Sequence, residues 1–207
     1  MKLYTMPNTC ALSVQIAIRW AGLDIPVEVM PSGGSRMPAY LAINSHGKVP
    51  ALILEDGSVL TEAAAILPYV AELAPSARLG GDNILERARM AQALGFMIGE
   101  VHSDWTPHFA PQLFLATGVA SGELEAMTFE RLAPQYAFLE ASLGGNPWLV
   151  FGRRTIADAY LYMLARTADL MPEGLTPYPM LSAFRARLEL DPGVVAALAE
   201  QDSVPAG

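Results

Sequence analysis

Apolar positions change rhythm several times along the chain. Leu3-Tyr4-Thr5 is a short apolar run closed by the Pro7-Asn8-Thr9 turn, and it reads as a strand. From Cys10 onward Leu12, Ile16 and Trp20 recur at helical spacing, so a helix starts near Cys10. Gly22-Leu23-Asp24 ends it, and Ile25 to Met30 returns to strand with Pro26 near its start. Pro31 to Ser35 is a loop, Met37 to Ile43 has room for one short helix, and Asn44 to Lys48 is a polar turn before Val49-Pro50. Two apolar runs, Ala51 to Leu54 and Ser58 to Leu60, flank Glu55-Asp56-Gly57 as a hairpin. Thr61 stands where it could cap the next helix, whose Ile66, Leu67, Val70 and Leu73 fall on one face.

From Ala74 to Asn83 periodicity is lost among Pro, Ser and Gly, which marks a linker. Beyond it the pattern is helical throughout. Ile84 to Phe109 forms one long candidate, bent or ended by Pro107, and Glu123 to Leu143 a second with Pro134 inside it. Thr155 to Leu170 is a third, opened by a Thr155–Asp158 capping box, and Ala183 to Leu190 and Val194 to Gln201 are shorter. The expected architecture is an α/β domain over residues 1–76 followed by an all-α domain over residues 84–207.

Composition narrows the function classes. Hydrophobic residues make up 52% and charged ones only 16% of 207, so a compact chain with a sizeable core is expected rather than disorder. The net charge is −8 and the only lysines are Lys2 and Lys48, which makes nucleic acid and anionic membrane poor partners. No apolar stretch approaches the ~18 residues of a membrane span, and no leader pattern opens the chain, so a cytoplasmic location is expected. A single cysteine excludes an internal disulfide and a cysteine-rich metal site, and no metal is expected.

That cysteine is the first candidate for chemistry. Cys10 falls at the start of a helix, where unpaired N–H groups and the macrodipole favour a thiolate; a lone cysteine is also a common small core residue. Val49-Pro50 opens a strand at a bond type that admits the cis form. Glu62 complements the dipole of the helix after it, and could equally salt-bridge an ammonium group while the N–H groups of that turn hold a carboxylate. His102, Trp105 and Phe109 recur at helical spacing, which suits core packing as well as it suits a stripe facing a cleft.

In combination and in this order, these segments resemble the glutathione S-transferase family over essentially the whole chain. The resemblance is carried by the Tyr4 to Cys10 turn, by Leu41-Ala42-Ile43-Asn44 leading to Gly47-Lys48-Val49-Pro50-Ala51, by Leu60-Thr61-Glu62, and by Thr155 to Leu161. Cys10 and Glu100-Val101-His102 make it most similar to the bacterial beta class. The resemblance implies a thioredoxin-like first domain, a helical second domain, a homodimer, and glutathione as co-substrate without a cofactor. It implies catalytic roles for Cys10 and His102, a cis-proline at Pro50, and glutathione contacts from Val49, Glu62 and Ala63. Ser103 stands where a lysine often follows that histidine, and Trp105 and Phe109 are expected in the apolar wall beside it. The activity so implied is conjugation of glutathione to apolar electrophiles in detoxification, thiol–disulfide exchange through Cys10, or both. The rival is a transferase-fold protein of weak catalysis that binds apolar ligands or a protein partner.

Overall fold

The computed structural model describes residues 1–114 and 120–203. The first domain is built on a four-stranded mixed sheet. β1 (Lys2–Thr5) pairs parallel with β2 (Val27–Val29) through the crossover helix α1 (Ala11–Ala21), and Leu3 stands opposite Val27. On the other side β1 runs antiparallel to β3 (Ala51–Ile53), which continues through the hairpin into β4 (Val59–Thr61), giving the order β2-β1-β3-β4. A one-turn helix α2 (Pro38–Leu41) precedes the polar turn, and α3 (Ala63–Leu73) follows β4.

Two details differ from the pattern along the chain. The second strand is only three residues long, because Ile25, Pro26 and Met30 lie outside the paired register. Thr61 ends β4, and Glu62 takes the N-cap of α3 with φ 69° and no side-chain cap. A non-glycine residue in that region is strained, and such positions concentrate at functional sites.

The second domain is helical. α4 (Ile84–Phe96) is capped by Asn83, whose side chain accepts from the Glu86 N–H at 3.0 Å. The expected single helix to Phe109 is broken twice. A π-turn at Met97–His102 widens it, and a short helix α5 (Thr106–Phe109) restarts after Trp105 with Pro107 inside its first turn. Proline in the first turn lacks only an N–H that no helix uses there, so Pro107 starts a helix rather than ending one. α6 (Ser121–Leu143) carries Pro134, α7 (Ile156–Thr167) follows, and α8 (Pro179–Leu188) and α9 (Pro192–Asp202) complete the domain.

α7 is the central element. Ten of its residues, Ile156 to Ala165, are buried. Asp158 accepts from the Thr155 N–H and hydroxyl, each at 2.8 Å, and from the Leu149 N–H at 2.8 Å. This capping box ties the preceding loop to the helix start. One core runs through both domains, from Leu3 and Ile16 to Leu161 and Leu181. Helix α1, flanked by α3, α7 and α9, lies at their junction. Buried Gln15 donates to the Ala197 carbonyl at 3.1 Å and to Glu200 at 2.5 Å, and accepts from Gln201 at 3.1 Å, while Arg19 pairs with Glu200.

Candidate active site

A cleft of about 690 Å3 lies between the domains. The first domain supplies the loop before α1, the turn before β3 and the start of α3; the second supplies the π-turn, α5 and α7. Every site residue expected from the sequence lines it: Cys10, Val49, Pro50, Glu62, Ala63, His102, Ser103, Trp105 and Phe109.

Each arrives there by local geometry. Asn8, with φ 58°, turns the chain after β1 so that Cys10 occupies the N-cap of α1. The Val49–Pro50 peptide is cis, and the Val49 carbonyl lies 3.7 Å from the Cys10 sulfur, which donates to it. Pro50 sits at the mouth of β3, where its missing N–H costs no ladder bond. The Lys48 carbonyl anchors this turn by accepting from the Tyr40 hydroxyl at 2.6 Å and the Asn44 amide at 2.8 Å. The Glu62 backbone carbonyl accepts from Ala65 and Ile66, leaving the first N–H groups of α3 without helical partners.

Electrostatics bear on the two readings of Cys10 that the sequence leaves open. Burial pushes the Cys10 thiol up to about 11, Glu62 adds to the rise, and the nearby Lys48 charge opposes it too weakly to prevail. In the ligand-free protein Cys10 is therefore a thiol at neutral pH, despite its place at a helix N-terminus.

His102 ends the π-turn, and its Nδ1 lies 2.6 Å from the Tyr160 hydroxyl on α7. Burial lowers the His102 pKa below its usual 6.5, and the Lys48 charge adds to that, so the imidazole is neutral at pH 7. Burial, together with the charges of Cys10 and Glu62, holds the Tyr160 phenol far above its ordinary range, so it keeps its proton. The phenol has no other hydrogen-bond partner among the described residues. Donation from Tyr160 to Nδ1 satisfies both groups, whereas the reverse would leave a buried O–H unpaired. On this assignment from the hydrogen-bond network, His102 carries its proton on Nε2 and is a neutral donor.

The apolar wall is anchored at its base. Trp105 is 1% exposed and its indole N–H donates to Tyr136 at 3.2 Å, which in turn donates to the Leu164 carbonyl at 2.8 Å. Phe109 tilts against it at 5.8 Å and stays 52% exposed. Ser103 donates to the Ile98 carbonyl at 3.2 Å.

Comparison with known proteins agrees with this architecture. A glutathione S-transferase N-terminal domain model matches residues 9–73, and a glutathione S-transferase C-terminal domain model matches residues 103–201. The chain belongs to the glutathione S-transferase family. Among curated relatives, a glutathione S-transferase of Xanthomonas campestris pv. campestris is 34% identical over 96% of this chain and 97% of its own. The solved structure of a glutathione S-transferase from Xylella fastidiosa is 35% identical with a TM-score of 0.90, covering 97% of this chain and 98% of that one. A bacterial beta-class glutathione S-transferase from Sphingomonas chungbukensis is 30% identical with a TM-score of 0.88, covering 99% and 100%. The beta-like character of this transferase agrees with that neighbour.

Tyr160 is the site residue that sequence reasoning passed over. It stands in an apolar helical run, and its partner His102 lies 58 positions earlier in the chain. The local pattern carries one weak signal: a phenol on a largely buried helix usually finds a hydrogen bond. The Tyr162 hydroxyl on the same helix nonetheless has none by geometry among the described residues.

Proposed function

We propose that this transferase conjugates glutathione to apolar electrophiles and exchanges thiols and disulfides through Cys10. The observation that supports it most directly is the convergence of Cys10, the Val49–Pro50 turn, Glu62 and His102 on one cleft. In this reading the Val49 backbone pairs with the cysteinyl part of glutathione beside cis-Pro50. Glu62 takes the ammonium of the γ-glutamyl head, and the N–H groups opening α3 at Ala63 take its carboxylate. The electrophile rests on Trp105 and Phe109, with Ser103 at the rim.

In conjugation the glutathione thiol loses its proton to solvent, and its thiolate forms the new C–S bond with the electrophile. The electrophile either expels its leaving group with the bonding pair or, for an activated alkene, shifts its π pair and takes a proton from solvent. His102, as a neutral Nε2–H donor, stabilises the thiolate without itself changing charge. In exchange, the Cys10 sulfur, its proton lost to solvent, attacks a glutathione-containing disulfide. The S–S bond breaks, one thiol leaves with a proton from solvent, and a second thiol then displaces Cys10 from the resulting mixed disulfide. We further read residues 1–76 and 84–207 as the two domains, the protein as a cytoplasmic homodimer, and detoxification as its role. Exposed apolar side chains such as Leu85 on α4 and Phe138 on α6 support a covered face.

Calorimetric titration of the reduced protein with reduced glutathione tests the reading. Saturation in the micromolar to low-millimolar range, weakened about tenfold by Glu62→Ala, is expected. No heat and no competition up to about 10 mM, a binding free energy under ~3 kcal/mol, would refute it and favour a carrier of apolar ligands.

A further inference from the structure

The cleft continues past its apolar wall. Through Asn8, Thr9, Phe109, Met163 and Thr167, which line both spaces, it joins a second cavity of about 420 Å3. Leu12, Met163 and Leu170 give that cavity apolar surface, and Arg166 from the last turn of α7 gives it a cation.

The charge balance there is uneven. Arg19, Arg153, Arg154 and Arg185 are half-buried like Arg166, and each of them meets at least one carboxylate. Half-buried Arg187, away from this cavity, is held by the Pro147 carbonyl and the Trp148 ring. Arg166 meets no carboxylate among the described residues. Its guanidinium lies 5.9 Å from the Tyr162 ring centroid and within reach of the Tyr162 phenol, a neutral partner that leaves the positive charge without a counter-ion. The anionic group lining the cavity, Asp169, is held by Arg185 at 2.5 Å. His108, also on the wall, pairs with Glu125 at 3.2 Å. The one carboxylate lining the cavity among the described residues is thus taken up by Arg185, and the Arg166 guanidinium is left beside apolar surface without a carboxylate. A half-buried cation without a counter-ion is poised for an anion, and the planar fork of arginine suits a carboxylate in particular.

We propose that the electrophile this transferase accepts carries a carboxylate, bound by Arg166. Its apolar body lies over Leu12, Phe109 and Met163, and its reactive carbon reaches into the glutathione cleft. The inference rests on the conjugation reading above. For an activated alkene the chemistry is an addition. The glutathione sulfur bonds the β-carbon, the alkene pair shifts toward the carbonyl, and a proton from solvent completes the α C–H bond. The proton lost by the thiol goes to solvent, so no oxidant or reductant is needed.

A matched pair isolates the anion: ethacrynic acid, an enone bearing a carboxylate, and its methyl ester. With the uncatalysed rate subtracted, the wild type is expected to favour the acid in kcat/KM by at least about tenfold. Arg166→Gln should lower the acid rate by about tenfold to a hundredfold and the ester rate by no more than about twofold, while Arg166→Lys restores part of the loss. Equal losses on both compounds, or an unchanged acid rate, would overturn the proposal. Turnover of the ester but not the acid would overturn it too, and would leave the transferase reading standing. If neither compound is turned over, equilibrium dialysis with S-methylglutathione decides. Arg166-dependent retention of the acid over the ester upholds the anion site while the conjugation reading fails, and equal retention sinks both.

Discussion

Tyr160→Phe removes one oxygen and leaves the ring that packs in α7. That oxygen lies 2.6 Å from His102 Nδ1, and it is what selects the imidazole tautomer. Without it Nδ1 loses an acceptor bond worth about 0.5–1.5 kcal/mol, and leaving a half-buried nitrogen unpaired costs about 1–3 kcal/mol. The imidazole escapes part of this by placing its proton on Nδ1, which strips the donor from Nε2. About 1.4 kcal/mol is a factor of ten, so kcat/KM for conjugation should fall about tenfold to thirtyfold. The assay is steady-state conjugation with a neutral electrophile, read beside nitrogen-15 NMR of the imidazole. The wild type should show the Nε2–H form and the variant a mixture, with the thermal midpoint moving by only a few degrees. A variant within about twofold of the wild type whose imidazole remains Nε2–H would refute the reasoning.

Two further outcomes follow from buried groups. Asp158→Ala strips the Leu149 N–H, the Thr155 N–H and the Thr155 hydroxyl of their acceptor, and should cost about 3–5 kcal/mol. Scanning calorimetry should show a midpoint lower by roughly 6–20 °C, and a drop under about 2 °C would contradict the account. Burial also raises the Asp158 pKa from 3.8 to about 6, so the folded chain keeps a proton that the unfolded chain has released. Stability should therefore fall as pH climbs from about 4 to about 6, by ~3 kcal/mol from this group, and Asp158→Asn should remove that slope. For Cys10, alkylation by iodoacetamide should be slow at neutral pH and rise about tenfold per pH unit through pH ~9, with Glu62→Gln shifting the curve downward in pH. A plateau below pH ~8 would show that the helix terminus, not burial, governs the thiol.

The strands, the hairpin and the helical second half were legible because their signals are local: alternation, helical spacing, and Asp-Gly between two apolar runs. The candidate site was legible for a different reason. Cys10, Val49-Pro50, Glu62 and His102 are scattered along the chain, and the family resemblance supplied their assembly. What stayed hidden depended on contacts between distant residues. Tyr160 looks like core until His102 is placed against it, and the Cys10 pKa follows from packing around the thiol rather than from its helix position. The helix from Ile84 hides its π-turn for a related reason. Inserting one residue per turn leaves the apolar count intact while turning His102 toward the cleft. Thr61 misled because threonine is a good cap, yet the strand ladder claimed it and passed the cap to a strained Glu62.

The bonds from Gln15 to Ala197, Glu200 and Gln201 join positions more than 180 residues apart. During synthesis at about 5–20 residues per second, α1 waits roughly ten to forty seconds between its own emergence and that of its partner. Until then a buried glutamine and the arginine one turn later are unmatched on the helix that carries the thiol. The first domain therefore acquires its final form from the last helix, and the cleft is completed as a late event in the life of the nascent chain rather than by its founding strand and helix.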